Sequence, residues 1–364
     1  QIDSIGPSLA KYLLDHFGNA SSIFNASKKD LLDIEYFGNY RAEKILRFSN
    51  FTAADAEVLF VQQNKITPLF INDAAYPKKL AACSDAPTIL YYKGSAPINQ
   101  SRVISIVGTR LPTLYGKWLT HLIIEELAPY NPLIISGLAY GIDVTAHQCA
   151  LDCNLQTVGV LAHSLATIYP AAHQHIAKDI VAQGGLLTEL SSTARIEKFN
   201  FPKRNRIVAG LSDATIVIES AVEGGSMITA KLARGYDREV FAVPGKIHDA
   251  KSKGCLWLIK NNIATMYHDP IQLLDNMNWP LQNDQAENDH SNAATEDLKT
   301  QSLLLSLPPI LQSVFTCIQT QGPIHKDAIS EQLAIPSPEL SSHLLSLELN
   351  SLIHLQAGNL YSVT

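Results

Sequence analysis

No stretch of the sequence approaches the ~20 consecutive apolar residues that a helix needs to cross a bilayer. The first residues also show no signal peptide, although the chain begins at Gln1 rather than at methionine. Hydrophobic residues make up 46% and charged residues 17% of the 364, as is typical of a globular protein. We therefore expect a cytoplasmic protein of two or three domains that makes no contact with a membrane.

Cysteine is scarce and follows no pairing pattern. The five cysteines are an odd number and are widely spread, and Cys149 and Cys153 are the pair whose spacing of four would put them on one face of a helix. No second pair completes a zinc site. We expect buried, reduced thiols and neither a metal nor a cofactor.

Two nucleotide-binding motifs are also missing. The sequence has no G-x-G-x-x-G, the dinucleotide fingerprint, and no G-x-x-x-x-G-K-[ST], the loop that holds a nucleoside triphosphate. Hydride transfer and ATP hydrolysis therefore lose their main support in the sequence.

Charge is unevenly distributed along the chain, whose formal net charge is −6. Residues 73–280 contain 19 lysines and arginines against 17 acidic residues, whereas residues 303–364 contain one lysine against four acids. Because the local charge sets the field that a ligand meets, the middle of the chain is the better candidate for binding an anion.

The segment 1–72 is predicted to be a helical module. Ile5-Gly-Pro7 is a tight turn before a helix that Gly18 can end, and Ser27 can cap another helix. An Ile-Gly turn between short helices is typical of one half of a helix-hairpin-helix, whose amides can hold a phosphate. Phe37–Tyr40 lacks the pattern of a second half, so packing or protein contact is the alternative role.

Between residues 73 and 280 short apolar strands alternate with helical stretches, which predicts a doubly wound α/β sheet. One of these helices begins near Pro112 and carries Trp118, Leu119 and Leu122 at helical spacing; others follow Asp143, His173 and Ser226. The predicted strands are Ile89–Tyr92, Val103–Val107, Leu133–Ser136, Thr157–Leu161, Gly185–Thr188, Ala214–Glu219 and Glu239–Val243.

Glycines and small hydroxyl residues follow three of these strands. They lie in Gly108-Thr109-Arg110, in the turn that begins at Ser136-Gly137, and in Gly224-Gly225-Ser226. Such turns ahead of a helix leave backbone N–H groups free to bind an anion. Because ligands of these sheets gather at the carboxyl ends of the strands, we expect a phosphate-binding site there.

A basic stretch with aromatic residues lies in the same region. From Arg195 to Arg206 there are five cationic residues against one acid, and Phe199 and Phe201 lie among them. Cations neutralise phosphates and rings can stack on bases, so the composition suits a single-stranded nucleic acid. The alternative is a surface loop with two rings packed into the core. As one wall of a nucleic-acid site, the stretch would instead grip the backbone with its arginines, while Phe201-Pro202 would fix the loop rather than stack on bases.

The C-terminal part of the chain is predicted to be a linker followed by a small domain. Residues 281–302 are polar, acidic and typical of a flexible linker. Residues 303–364 predict three helices and a β-hairpin, which is a winged-helix plan. A winged helix that reads duplex DNA needs lysine or arginine on its third helix, but none follows Lys326. We therefore predict a protein-contact or regulatory module that binds duplex DNA poorly.

Six motifs follow one another between residues 106 and 245: Ile106–Arg110, Ser136–His147, Ile168–Pro170, Phe201–Arg206, Gly225–Ala230 and Val243–Gly245. In this order and spacing they resemble one protein family, the DNA-processing protein A family, also called Smf or DprA. The resemblance is strong across residues 85–270 and looser over the helical module and the winged helix, both of which occur in the family at these positions.

The resemblance implies an extended Rossmann-like domain, flanked by a SAM-like or helix-hairpin-helix-like domain and a winged helix. It also implies a non-catalytic homodimer that binds single-stranded DNA without sequence preference and loads RecA onto it in natural transformation. Other competence proteins are candidate partners of the winged helix. The DNA-binding residues carried over are Gly108, Thr109, Arg110, Ser136, Gly137, Lys203, Arg204, Asn205, Arg206, Gly225 and Ser226.

The chain departs from the family pattern at two turns. Leu161–Leu165 replaces a glycine-rich turn, and Ala171-Ala172 stands after Tyr169-Pro170 where some members have a lysine that contacts DNA. Lys178 or Lys203 is the candidate substitute. Glu223 adds an acid close to the predicted anion site.

Two other readings stay open on the residues alone. Asp143 and His147, four apart, suggest acid–base chemistry, or else capping and core hydrogen bonds. Glu223–Thr229 faintly resembles the Pro-Gly-Gly-x-Gly-Thr-x-x-Glu turn of nucleoside-monophosphate phosphoribohydrolases, but the final glutamate is missing. A nucleotide-processing enzyme and a regulatory nucleotide sensor are therefore the alternatives to a DNA-binding protein.

Overall fold

A computed structural model describes residues 2, 4–35, 37–279, 308–321, 324–333, 335–349, 352–356 and 360–363. The chain divides into two units, Gln1–Pro280 and Leu281–Thr364. The predicted linker, 281–302, lies outside the described residues. None of the helices within those described ranges is both long and apolar enough to span a membrane.

The first unit begins with five helices, the first four of which enclose a small core of their own, while Val61 on the fifth packs with Ile66 and Tyr91. Gly18 ends the first helix in a left-handed conformation, with φ of +82°, that glycine adopts without strain. Ser27 and Asp30 form a reciprocal capping box at the start of the third. The helices are α1 (Pro7–Phe17), α2 (Ala20–Asn25), α3 (Lys28–Leu32), α4 (Gly38–Leu46) and α5 (Thr52–Gln63).

A nine-stranded sheet forms the rest of the first unit. Its spatial order is β1-β2-β6-β5-β4-β3-β7-β8-β9. The seven strands that follow β2 in this order run parallel to one another. The seven predicted strands are confirmed to within two residues at each end. The strands are β1 (Thr67–Phe70), β2 (Ile89–Gly94), β3 (Val103–Val107), β4 (Leu133–Ser136), β5 (Thr157–Val160), β6 (Gly185–Thr188), β7 (Ala214–Val217), β8 (Glu239–Ala242) and β9 (Thr265–Met266).

The sheet starts before residue 73. β1 lies in the segment 1–72 that we assigned to the helical module, yet it pairs antiparallel with β2, with Thr67 opposite Tyr92. Pro68 gives β1 the composition of a turn, but proline is tolerated in a strand at the edge of a sheet, where its missing N–H costs little. β9, at the other edge, has only two residues, too few for a pattern in the sequence.

Eight helices cover both faces of the sheet. Successive side chains of β3 point to opposite faces of the sheet. Val103 and Val107 pack in the core on one face, beneath the tenth to twelfth helices. Ile104 and Ile106 pack in the core on the other face, with the seventh, eighth and thirteenth helices. This is the predicted doubly wound arrangement. The helices are α6 (Lys78–Ala81), α7 (Leu114–Leu127), α8 (Ile142–Asp152), α9 (Gln174–Gln183), α10 (Asn200–Leu211), α11 (Gly225–Gly235), α12 (Lys253–Lys260) and α13 (Pro270–Met277).

The basic stretch 199–206 was wrongly interpreted as a loop. From Asn200 onward it is the first half of α10, whose apolar second half, Ile207 to Leu211, lies in the core. Pro202 in the first turn is compatible with a helix because the first N–H groups have no partner within the helix. The proline and the charges obscured a helix that tertiary packing stabilises.

The second unit has the predicted winged-helix plan. A separate core forms around Val314, Ile329 and Leu344, and the three strands pair antiparallel in the order β10-β12-β11. The predicted hairpin is confirmed, although its turn, 357–359, is outside the described residues. The elements are α14 (Pro309–Gln321), β10 (Ile324–His325), α15 (Lys326–Leu333), α16 (Ser337–Leu349), β11 (Ile353–Gln356) and β12 (Leu360–Val363).

Candidate nucleic-acid interface

A pocket of about 570 Å³ opens at the carboxyl ends of β3 and β7. After β3 the chain crosses to β4 on one side, and after β7 it crosses to β8 on the other. The two loops therefore separate at this point, which is where ligands bind in doubly wound sheets. The lining combines loop backbone, the first turns of α10 and α11, and cationic side chains.

The loop after β3, Gly108 to Arg110, is held by backbone contacts. Thr109 N donates to the Glu219 carbonyl at 2.7 Å, and Ile142 N donates to the Thr109 carbonyl at 3.1 Å. Gly141 has φ of +84°, and a side chain there would collide with the Thr109 carbonyl. Glycine is therefore required at this turn for two independent reasons.

The Glu219 carboxylate anchors the start of α7 beside the pocket. It accepts from Thr113 N at 2.9 Å and from the Thr113 hydroxyl, and a side chain at Gly116 would overlap it. Glu219 thus accepts hydrogen bonds from the loop that leads into α7. Its carboxylate is therefore occupied in positioning the loop.

The first turn of α11 forms one wall of the pocket. Gly224, Gly225 and Ser226 line it, and Gly224 has no side chain that could cap the helix. Asn205 Nδ2 donates to the Gly225 carbonyl at 3.2 Å and so joins α10 to this turn. A helix N-terminus carries partial positive charge, so this wall favours an anion.

Arg204 and Asp143 form the floor. Arg204 is 5% exposed, and its Nη1 donates to the carbonyl oxygens of Gly137, at 2.6 Å, and Val160. Burial lowers the pKa of Arg204 to about 10, against the opposing attraction of Asp143. Burial raises the pKa of Asp143, which Arg204 opposes. The guanidinium is thus charged at neutral pH, but its geometry is fixed by carbonyls.

Exposed cations and rings form the rim. Arg110 lies over the Phe201 ring, with 5.6 Å from Cζ to the ring centroid, and the Tyr169 ring meets Phe201 edge-on at 5.9 Å. Lys198, one turn before, is exposed and also lines the pocket. Phe201 therefore holds Arg110 from one side, while Arg110 and Lys198 supply the accessible charge.

Most of the carried-over residues meet in this pocket. Sequence reasoning did not assign Lys198, Tyr169 or Asp143 to it, although Lys198 lies in the basic stretch and Tyr169 in a family motif. The residues from the predicted set that line the pocket are Gly108, Thr109, Arg110, Gly137, Arg204, Asn205, Gly225 and Ser226.

Three predicted residues lie elsewhere. Arg206 is buried and its Nη2 is 2.5 Å from Glu189 Oε2, so it forms an internal ion pair rather than a ligand contact. Ser136 is fully buried and donates to the Ile106 carbonyl at 2.6 Å. Lys203 is exposed but is not among the pocket's lining residues. The spacing of α10 explains the difference, since Lys203 and Arg206 project away from the face that carries Phe201 and Arg204.

Asp143 and His147 do not form an acid–base pair. His147 lies beneath the pocket, fully buried, and its Nδ1 bonds the Thr157 hydroxyl at 2.7 Å. That hydroxyl donates to the Ile134 carbonyl, so the imidazole is the donor to Thr157. Burial lowers the pKa of His147 to about 3. Core hydrogen bonding, the second of the two readings, describes this histidine.

The segment that leads into α10 is tied to the helical module. On α5, the Glu57 carboxylate accepts from Ser192 N at 2.9 and 3.0 Å and from the Ser192 hydroxyl at 2.5 Å. These bonds restrain the strand-to-helix connection that carries Lys198. Glu57 thus links the module to the segment that leads into α10.

Comparison with known families covers nearly the whole chain. Residues 67–278 match the family described as DNA recombination-mediator protein A. Residues 1–48 match the SAM-like helix-hairpin-helix tandem. The match includes Phe37–Tyr40, which lacks the sequence pattern expected of a second helix-hairpin-helix half. Residues 299–359 match the DprA winged helix domain.

Individual relatives agree. Protein Smf of Synechocystis sp. is 32% identical over 99% of this chain and 96% of its own length. The crystal structure of DNA processing protein A from Streptococcus pneumoniae has a TM-score of 0.61 at 29% identity, covering 74% of this chain and 98% of that one. DNA processing protein A from Helicobacter pylori, whose structure concerns a single-stranded DNA binding mode, has a TM-score of 0.53 at 29% identity, covering 58% and 95%. This chain therefore belongs to the DNA recombination-mediator protein A family, DprA/Smf.

Proposed function

We propose that this protein binds single-stranded DNA without sequence preference and that it performs no catalysis. The observation that carries the proposal is the pocket at the switch point, which is lined by the first turn of α11, by Arg110 and Lys198, and by Arg204 at its floor. Amides and cations of this kind contact phosphates, which are the same in every sequence.

Membership of the family supports a role beyond binding. We propose that the protein acts as a cytoplasmic homodimer, protects DNA taken up in natural transformation, and loads RecA onto it. The winged helix is proposed to contact other proteins, including other competence proteins, rather than duplex DNA.

A titration with oligonucleotides of graded length tests the binding proposal. Affinity is expected to rise with length and to fall with salt by about 0.7 logarithmic units per phosphate contact, which gives a slope of about −1.4 for the two accessible cations, Arg110 and Lys198. Saturation by a mononucleotide with no gain from length would instead favour the nucleotide-processing enzyme or sensor. Mass measured in the same samples tests the homodimer.

RecA loading needs its own assay. Purified protein is expected to bind RecA in sedimentation experiments and to speed assembly of RecA on single-stranded DNA at substoichiometric amounts. An Arg110→Ala variant should retain RecA binding but lose the acceleration. If acceleration persists in that variant, the pocket is not the DNA site used in loading.

A further inference from the structure

The first two turns of α7 carry an exposed apolar face that the fold does not use. Leu114 is 86% exposed, Tyr115 56% and Trp118 57%, while Leu111, just before the helix, is 76% exposed. The buried face of the same helix, represented by Ile123, already packs on the sheet. Four large apolar side chains left together in water are typical of a binding surface.

The two rings form an ordered pair. The Tyr115 and Trp118 ring centroids are 5.7 Å apart and the planes are inclined by 34°. They stand one helical turn apart, and the Thr113 hydroxyl caps this turn by accepting from Gly116 N at 3.0 Å. A rigid pair of exposed rings offers flat surface for stacking at little cost in conformational entropy.

This face is continuous with the phosphate pocket. Arg110 lines the pocket and Leu111 is the next residue. The carboxylate of Glu219 holds Thr113, and its backbone carbonyl accepts from Thr109 N. One residue therefore fixes both the pocket loop and the start of α7, so the rings keep a constant position relative to the pocket.

The charge around the rings suits a polyanion. Lys117 is exposed between them, and the first turn of α7 contains no acid. Lys117 and Trp118 also border an open groove of about 650 Å³ between α7 and α8, whose walls include His121, Gln148 and, on the α8 side, Asp152. The N-terminal end of α7 adds partial positive charge.

We propose that Leu111, Leu114, Tyr115, Lys117 and Trp118, the α7 platform, form a second subsite that stacks bases of a single strand whose phosphates occupy the pocket. The proposal rests on the proposed function and deepens it, because it assigns a base-contacting surface that lengthens the footprint. Base–aromatic stacking is tolerant of sequence since every base has a π-face. A second copy of this chain is the competing occupant.

Variants of the full-length protein test the platform. Trp118→Ala and Tyr115→Ala are expected to leave binding of a short oligonucleotide unchanged and to weaken binding of a long one by about 5-fold to 150-fold, the range for loss of one stacked base. Trp118→Phe should recover most of the affinity. Tyr40→Ala, which removes an exposed ring on α4 (62% exposed), is the matched control and should bind normally.

Photocrosslinking gives a direct readout. Oligonucleotides that carry 5-iododeoxyuridine are expected to crosslink to Trp118 or Tyr115 at positions outside the pocket-bound segment. Normal affinity of both alanine variants for long oligonucleotides would overturn the platform proposal. If those variants also lose the mass of a dimer, the face belongs to the contact with a second copy of this chain. If wild type binds no oligonucleotide, the proposed function itself fails; if Arg110→Ala loses binding while the platform variants do not, only the platform fails.

Discussion

Arg110 and Lys198 supply the accessible positive charge of the pocket, and they are the residues whose loss should reduce DNA binding without disturbing the fold. Both are exposed, and Arg110 rests on the Phe201 ring. We expect Arg110→Ala and Lys198→Ala each to weaken binding of single-stranded DNA by about 10-fold at low salt and to reduce the salt slope by about 0.7.

Lys203→Ala is the matched control for those variants, because Lys203 lies on the same helix but outside the pocket lining. Fluorescence anisotropy at several salt concentrations measures both quantities. A loss of affinity in Lys203→Ala as large as that in Lys198→Ala would mean that the strand follows the outer face of α10 instead of the pocket.

Arg206 stabilises the fold of the domain and is not expected to contact DNA. Its side chain and that of Glu189 are 8% and 10% exposed and are joined at 2.5 Å. Arg206→Met should lower the free energy of unfolding by about 3–5 kcal/mol, because it leaves a buried carboxylate unpaired.

The double variant Arg206→Met with Glu189→Met should recover much of that loss, since an apolar pair removes the unpaired charge. Urea denaturation of the three proteins measures the effect. Wild-type stability of Arg206→Met combined with loss of DNA binding would return Arg206 to the binding site.

His147 predicts a specific loss of stability in acid. Burial lowers its pKa to about 3 from 6.5, so the unfolded chain takes up the proton first as pH falls. The free energy of unfolding contributed by this residue is therefore fully present above about pH 6.5 and decreases toward about pH 3. Asp143, whose pKa burial raises, acts in the opposite direction over the acid part of this range.

The difference between wild type and His147→Asn isolates the histidine, because Asp143 is common to both. Asparagine can still donate to Thr157. We expect the variant to lose stability less steeply between pH 6.5 and pH 4, as measured by thermal unfolding across that range. Parallel curves for the two proteins would contradict the buried, neutral histidine.

At the scale of elements, the connection from β6 to α10 depends on a contact from a different part of the chain. The Glu57 carboxylate on α5 accepts three hydrogen bonds from Ser192. We expect Glu57→Ala to loosen this connection and to weaken DNA binding several-fold, because Lys198 and the start of α10 lose their restraint.

Asp55→Ala, which removes an exposed acid of the same helix, is the control and should have little effect. Hydrogen exchange of residues 190–199 together with oligonucleotide titration measures the change. Faster exchange with unchanged affinity would show that the tether stabilises the connection but does not position the site.

At the scale of the whole molecule, the two units have different predicted ligands. The winged helix has its own core, and Glu339 and Glu348 lie on α16, the helix that a DNA-reading winged helix would use. We expect residues 1–280 to bind single-stranded DNA with the affinity of the full chain. Residues 303–364 alone should show no measurable binding to duplex DNA at moderate salt, as judged by electrophoretic mobility shift.

The sequence pattern was sufficient to predict secondary structure where a residue type has one predominant structural role. The apolar runs predicted seven strands, Gly18 marked the end of one helix and Ser27 the start of another. The glycine turns after β3 and β7 were assigned to one site because parallel strands end at one edge. Edge strands β1 and β9 were missed, since their short segments are stabilised mainly by neighbours.

The sequence by itself determined the architecture and the family, and it predicted the region of the proposed anion site, because periodicity, turn chemistry and long motifs are local properties. Tertiary structure alone decided which charges are available. Lys203, Arg204 and Arg206 lie within four residues of α10, yet each has a different environment. Lys203 lies outside the pocket lining, backbone carbonyls hold Arg204, and Arg206 pairs with Glu189. The same packing left Trp118 in solvent while its neighbour Leu119 entered the core. Burial and partners come from distant segments, and no local pattern encodes them.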